Sequence, residues 1–178
     1  MGTRPVAAES VWVLRHAKAA SHGLDDHSRP LTARGTRQAA EVGAYLARSP
    51  ITGLHVPRLV LSSSARRAVQ TAELVVAELE PQVDLLVEPA LYQAGADDIV
   101  EMLRVLGGEA PSVLVVGHNP TVHDLVLLLL DEKDVEGRSR LEKGFPTATL
   151  AVAALSTPSW ARLAPGTATL VELHTPDR

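Results

Sequence analysis

Short apolar runs alternate in this chain with segments whose apolar residues recur at helical spacing. Runs of this length, without polar interruption, are typical of strands in a sheet covered on both faces. They are Val11–Leu14, Leu59–Leu61 and Val113–Val116; Val83–Glu88 is a further predicted strand, although Asp84 interrupts its apolar residues. The segments between them have one apolar face, as Ala39, Val42 and Leu46 illustrate. The alternation predicts a three-layer α/β/α sandwich with a mainly parallel sheet.

Several residues mark where the helices should begin. Thr32 is a good cap for the first helix, and Asp98 and Glu101 have the spacing of a capping box that opens a later one. Asn119 followed by Pro120 suits the start of the helix after the fourth strand.

The last third of the chain is less regular. Residues 131–144 are charged and predicted to be exposed. Two final strands are predicted, at Thr147–Leu155 and Thr167–Leu173, and they need not run parallel to the others.

The length of 178 residues suits a single domain over residues 1–178, with residues 1–9 as a loose tail. A net charge of -4 and an aromatic content of 3% argue against binding to nucleic acid or anionic membranes. The longest apolar run, Leu125–Leu130, is too short to cross a bilayer, and the start of the chain lacks the apolar region of a signal peptide. We therefore expect a soluble, cytoplasmic protein.

Reactive side chains follow three of the predicted strands. Arg15 and His16 follow the first strand, Arg67 comes shortly after the second, and His118 follows the fourth. The carboxyl ends of parallel strands share one edge of a sheet, so these residues should converge there. Two arginines, two histidines and a helix N-terminus form a site suited to a dianionic phosphoryl group.

Two competing interpretations of the histidines are weaker. His22 and His27 are five residues apart, as are His118 and His123. On a helix this spacing places the two rings on different faces, so we expect no metal site. A nucleophilic triad of Ser63, His118 and Asp124 is conceivable, but the sequence around Ser63 is not a nucleophile elbow.

Four motifs in order resemble the histidine phosphatase superfamily, which includes the phosphoglycerate mutases, and most of all its SixA-type phosphohistidine phosphatases. They are Arg15–Ala19, Arg29–Gly35, Ser63–Ala72 and Val116–Pro120. The resemblance spans residues 11–155 and implies a phosphoglycerate mutase-like fold and catalysis without a cofactor. Ala17 stands where the superfamily signature has glycine, a change that resembles the SixA-like branch.

The resemblance implies a role for each residue at the strand ends. His16 would be the nucleophile that carries the phosphoryl group, and adjacent Arg15 would disfavour its protonated form. Arg15, Arg67 and His118 would hold the phosphoryl oxygens.

Alignment to the motif favours Arg67 over Arg66 as the pocket residue. Lys18 and Arg29 are either further substrate contacts or solvated loop charges.

The general acid is the part of the resemblance that the sequence leaves open. Many superfamily members supply a carboxylate after the third strand, and the candidates here are Glu88, Asp25 and Asp26. An imidazole leaves with less acid assistance than an alkoxide, so the weak acid signal favours protein phosphohistidine as substrate. The expected partner is then a phosphorylated protein such as a histidine-containing phosphotransfer domain. A small phosphoester is the alternative substrate, and a non-catalytic phospho-binding protein is the alternative function.

Overall fold

A computed structural model describes residues 10–21, 25–48, 51, 54–79 and 83–176. The predicted loose tail, residues 1–9, lies outside these ranges. The strands are β1 (Ser10–Arg15), β2 (Leu59–Ser63), β3 (Asp84–Glu88), β4 (Ser112–Gly117), β5 (Leu150–Leu155) and β6 (Ala168–His174). The α-helices are α1 (Ala33–Ala47), α2 (Arg66–Val76), α3 (Ala96–Leu106), α4 (Thr121–Leu129) and α5 (Val135–Leu141). Short 3₁₀ helices occupy Pro89–Tyr92 and Trp160–Arg162.

All six strands form a single sheet in the order β3-β2-β4-β1-β5-β6. The first four strands in this order are mutually parallel, whereas β5 runs antiparallel to β1 and β6 antiparallel to β5. The predicted α/β sandwich with a mainly parallel sheet is confirmed.

Strands β1, β2, β4 and β5 are largely buried because helices cover the sheet from each side, whereas the edge strand β3 is mostly exposed. In β1, Val11 and Val13 pack into a core with α3 and α4, whereas Trp12 and Leu14 pack into a second core with α1 and α2. This division follows from strand geometry, in which successive side chains point to opposite faces. It explains why β1 reads as an uninterrupted apolar run.

Of the three predicted helix starts, the start of α1 is confirmed, and the starts of α3 and α4 need correction. Thr32 does cap α1, since its hydroxyl accepts from the Gly35 N–H at 3.0 Å. However, α3 begins earlier than the capping box at Asp98 predicted, because Gly95 is its N-cap. The Asp98 carboxylate reaches back to the Gly95 N–H at 2.8 Å, so Asp98 lies in the first turn of the helix.

The start of α4 also differs from the prediction, because Asn119 is not the N-cap. Pro120 occupies that position and the helix begins at Thr121. The Asn119 side chain instead donates to the carbonyl of Phe145 at 2.9 Å. The Asn119 side chain therefore makes a tertiary hydrogen bond, and it does not cap α4 as the local sequence predicted.

The charged stretch 131–144 is not simply exposed, because it contains α5. Leu141 in this helix is fully buried. Asp134 caps α5 at the Gly137 N–H, and its second oxygen accepts from the Leu170 N–H of β6 at 2.8 Å. The prediction of a solvated segment missed this docking because a short helix with one buried leucine leaves little periodic signal.

In the portion of the chain covered by the structure, none of the helices has both the length and the apolar character needed to span a bilayer.

Candidate active site

The carboxyl ends of β1, β2 and β4 meet at one edge of the sheet, as the sequence predicted. Arg15 of β1 pairs in register with Gly117 of β4, so His16 and His118 follow at adjacent positions. Their ring centroids are 5.1 Å apart. A pocket of about 400 Å³ opens here and is lined by Arg15, His16, Lys18, Ala19, Asp26, Arg29, Arg67, His118, Asn119 and Thr147.

His16 is held as a neutral imidazole with a defined tautomer. Its Nδ1 lies 2.8 Å from the carbonyl of Ala17, which can only accept, so Nδ1 carries the proton. Arg67 donates its Nε–H to the His16 Nε2 at 3.3 Å, which agrees with a lone pair on that nitrogen. The pKa of His16 is lowered to about 3, chiefly by burial, with smaller contributions from nearby His118, Arg67 and Arg15. The sequence assigned this effect to Arg15, but burial is the larger cause.

Arg67 lies at the first turn of α2 and is almost fully buried. Besides His16, its guanidinium bonds to Asp26 twice, through Nη1 to the backbone carbonyl and through Nη2 to Oδ2 at 2.9 Å. Neighbouring Arg66 is exposed and is not among the pocket residues. Of the two arginines that the motif presents, the structure therefore brings Arg67 to the histidines.

Asp26 is the carboxylate that lines the pocket, and cationic and hydroxyl donors surround it. The Tyr92 hydroxyl donates to Oδ2 at 2.6 Å, and Arg29 donates to Oδ1 through Nε at 3.1 Å and Nη2 at 2.6 Å. These bonds, with those from Arg67, hold the pKa of Asp26 well below its usual range. Asp26 is thus ionised at neutral pH.

Arg15 and Asn119 share one acceptor, the carbonyl of Phe145 in the segment before β5. Arg15 donates through Nη1 and Asn119 through Nδ2, both at 2.9 Å. Burial lowers the pKa of Arg15 from its ordinary value, although a guanidinium remains charged at neutral pH. The shared carbonyl orients both side chains at the pocket wall.

His118 contacts the end of β2 rather than a carboxylate. Its Nε2 lies 2.8 Å from the Ser63 hydroxyl, and its Nδ1 has no hydrogen-bond partner among the described residues. Asp124 is exposed on α4 and makes no hydrogen bond to the ring. The conceivable triad of Ser63, His118 and Asp124 is therefore not formed. Burial lowers the pKa of His118 to about 4.

Of the other predicted site residues, two line the pocket and two do not. Lys18 and Arg29 line the pocket. Glu88 and Asp25 do not line it: Glu88 accepts from the Ala90 N–H at 3.0 Å, and Asp25 accepts from the backbone and hydroxyl of Ser28. Among the residues that the structure describes, no group of three or more metal-binding side chains is arranged to hold an ion.

Two supporting residues were not identified from the sequence. Thr71 of α2 accepts from the Ala17 N–H at 3.0 Å and donates to the Arg67 carbonyl at 2.7 Å, so it ties the end of β1 to α2. The sequence could have indicated Thr71, because a residue four positions after Arg67 lies on the same face of a helix. No sequence pattern indicates Tyr92, because it reaches Asp26 from a 3₁₀ helix that the sequence does not predict.

Comparison with known proteins places this arrangement in a family. Residues 11–103 match the histidine phosphatase superfamily (branch 1). An uncharacterized protein of Mycobacterium tuberculosis is 34% identical over 166 residues, which cover 92% of this chain and 99% of that protein. An uncharacterized protein of Mycobacterium leprae is 30% identical over 169 residues, with the same coverage of each chain.

Solved structures agree with the sequence match. A chain assigned as the phosphohistidine phosphatase SixA of Nakamurella multipartitia superposes with a TM-score of 0.79 at 28% identity, covering 98% of this chain and all of that one (100%). The protein histidine phosphatase SixA in complex with tungstate superposes with a TM-score of 0.73 at 26% identity, covering 94% and 97%. Sequence and fold together make this chain a member of the histidine phosphatase superfamily, in its SixA-like branch.

Proposed function

We propose that this protein is a phosphohistidine phosphatase in which His16 accepts the phosphoryl group and water then releases it. The superfamily membership supports phosphatase activity. The SixA structures support phosphohistidine as the substrate class. Tungstate, a tetrahedral oxyanion like phosphate, is bound by one of these relatives.

One observation carries the proposal: His16 Nε2 is unprotonated and faces the pocket, where its lone pair accepts a long 3.3 Å hydrogen bond from Arg67 Nε–H. The Ala17 carbonyl retains the proton on Nδ1 at 2.8 Å, and the low pKa keeps the ring neutral. A neutral imidazole with an unprotonated Nε2 is the nucleophilic form of histidine. The two arginines and His118 surround this nitrogen with donors for phosphoryl oxygens.

The proposed reaction has two displacements at phosphorus. In the first, His16 Nε2 forms a bond to phosphorus as the bond to the substrate nitrogen breaks, and the leaving imidazole takes up a proton from solvent. In the second, the oxygen of a water molecule forms a bond to phosphorus as the bond between phosphorus and Nε2 breaks; the protons of the water leave with inorganic phosphate or pass to solvent, and the Nε2 lone pair is regenerated. Arg15, Arg67 and His118 stabilise the charge on the transferred oxygens in both steps.

The carboxylates favour a phosphoramidate over an alkyl phosphoester. Asp26 is ionised and holds four donor atoms from Tyr92, Arg29 and Arg67, so it is a poor proton donor. Glu88 and Asp25 are engaged by backbone N–H groups and do not line the pocket. An alkoxide requires strong acid assistance to leave, whereas an imidazole does not.

Phosphate release from two kinds of substrate tests the proposal. A phosphotransfer domain carrying phosphohistidine and a panel of small phosphoesters would be offered at equal concentration to the wild type and to His16→Ala. We expect the phosphorylated domain to be preferred, and the variant to lose at least ~10³-fold in kcat because the covalent route is removed.

The matched control is His123→Ala, which removes an imidazole that binds the Leu141 carbonyl outside the pocket lining. It should retain turnover. Preference for a small ester would reject the substrate class but keep the nucleophile. Binding of the phosphorylated domain without turnover by the wild type would instead indicate a phospho-binding protein.

A further inference from the structure

We propose that Ser63 is a positioning residue that sets the tautomer of His118, so that the ring presents an Nδ1–H donor to the phosphoryl group. Ser63 Oγ lies 2.8 Å from His118 Nε2. Either atom could supply the proton by distance alone, because a neutral imidazole exists in two tautomers. The functional consequence of this contact rests on the phosphatase activity proposed above.

The environment of Ser63 decides which atom donates. Its side chain is fully buried at the end of β2. In the described part of the chain, its second neighbour is the Ala65 N–H at 3.5 Å, which can only donate. If His118 also donated to Oγ, the hydroxyl proton would have no acceptor in a buried site, which is unfavourable because the lost hydrogen bond to water is not replaced. Ser63 therefore donates to Nε2, and His118 carries its proton on Nδ1.

This assignment explains the unpaired polar atom of His118. Nδ1 is buried and has no hydrogen-bond partner within the ranges that the structure describes. Because Nδ1 bears the proton, it is a donor, and a phosphoryl oxygen is the acceptor that would satisfy it. Both pocket histidines then have the same tautomer but use opposite nitrogens: His16 offers the lone pair of Nε2, and His118 offers the proton of Nδ1.

Three consecutive serines lie at the end of β2, and only Ser63 contacts His118. Ser62 and Ser63 are the last residues of the strand, and Ser64 follows it. The Ser62 hydroxyl donates to the Ser63 carbonyl at 3.0 Å, and the Ser64 hydroxyl contacts His27 Nε2 at 3.0 Å. Neither reaches His118. Ser62→Ala is thus a matched control for Ser63→Ala, because both remove a hydroxyl from a fully buried side chain in β2.

Long-range ¹H–¹⁵N NMR of the wild type at pH 7 tests the tautomer directly. We expect the protonated nitrogen of His118 to be Nδ1, and the same spectrum serves as a control through His16, whose proton should also lie on Nδ1. In Ser63→Ala, the preference of His118 for Nδ1–H should be lost, whereas Ser62→Ala should retain it. A wild-type ring protonated at Nε2 would overturn the proposal without any variant.

Steady-state kinetics test whether the tautomer of His118 affects turnover. Ser63→Ala should lose about 10-fold in kcat/KM on the phosphorylated domain, since a hydrogen bond to a charged group contributes about 1.4 kcal/mol or more. Ser62→Ala should remain within about twofold of the wild type by the same standard. An unchanged rate in Ser63→Ala despite a changed tautomer would also reject the proposal. If the wild type hydrolyses no substrate, the proposed function fails while the NMR result still decides the tautomer.

Discussion

The protonation states of the two pocket histidines depend on their surroundings as well as on the imidazole itself. Free histidine is half protonated near pH 6.5. In this pocket, burial lowers the pKa of His16 to about 3, so the ring is neutral over the physiological range. Arg66 and Arg67 also differ through their surroundings. Arg67 is buried against His16 and Asp26, whereas Arg66 is exposed.

The paired arginines permit a controlled test at the residue scale. Arg67→Lys should reduce kcat/KM by roughly 10²-fold or more, because an ammonium cannot reproduce the planar fork that contacts His16, Asp26 and a phosphoryl oxygen together. Arg66→Lys should change kcat/KM by less than about twofold. Steady-state kinetics on the same substrate compares the two variants. Equal losses would show that Arg67 has no special position in catalysis.

At the scale of elements, the pocket depends on how closely α1 approaches the loop after β1. The backbone N–H and the hydroxyl of Thr32 both donate to the Lys18 carbonyl, at 2.9 and 3.1 Å. A Cβ on Gly35 would lie 2.0 Å from that carbonyl oxygen, so glycine is required at this helical position by the backbone contact. The position of Lys18 beside the pocket follows from this packing.

Replacing Gly35 by alanine should therefore destabilise the protein even though it increases helix propensity. In an open helix the change would stabilise by up to ~1 kcal/mol. Here we expect a loss of about 2 kcal/mol or more, because backbone must move to relieve the overlap. Urea denaturation monitored by circular dichroism measures the free energy of unfolding.

Gly95→Ala is the control for this prediction. A Cβ at Gly95 would have Asp98 Oδ2 as its nearest neighbour, at an ordinary van der Waals distance of 3.5 Å. We expect a loss of about 1 kcal/mol or less, because alanine is a poorer N-cap than glycine but a Cβ at this position meets no backbone atom. A Gly35→Ala protein as stable as the wild type would contradict the close approach of α1 to the Lys18 carbonyl.

At the scale of the whole molecule, folding brings together side chains about one hundred residues apart and buries two of them as neutral imidazoles. His16 follows β1 and His118 follows β4, and both have pKa values below those of free histidine. In the unfolded chain both rings would titrate near pH 6.5. The unfolded state therefore binds more protons than the native state between that pH and about pH 4.

The pH dependence of stability follows with a definite sign. Because the native pKa values are lowered, the free energy of unfolding should fall as pH decreases from 7 towards 4. Between pH 7 and pH 5 the fall should be ~2 kcal/mol for His16, and less for the more exposed His118. Denaturation at the two pH values measures it.

His16→Asn provides the comparison for this experiment. The asparagine does not titrate, so the variant should lose less stability than the wild type when the pH is lowered from 7 to 5. Identical pH dependence in both proteins would mean that His16 has the same pKa in the folded and unfolded states. That outcome would also remove the argument that the resting nucleophile is neutral because it is buried.

Local sequence predicted the elements whose signals are local. The β1 run, the amphipathic face of α1 and its Thr32 cap were all identified, because apolar periodicity and capping depend on residues close together in the chain. The predicted start of α4 was wrong for the opposite reason. The Asn119 amide bonds to Phe145, 26 residues away, and no local pattern indicates that contact.

The sequence by itself determined the fold class and the set of reactive residues at the strand ends, since parallel strands covered on both faces leave a periodic pattern and align their carboxyl ends. Only the tertiary structure decided the state of those residues. That Asp26 is ionised beside Arg67, and that the two histidines are neutral with a defined tautomer, depends on contacts between distant segments. Burial and hydrogen bonding set pKa values and tautomers, and both are created only when the chain has folded.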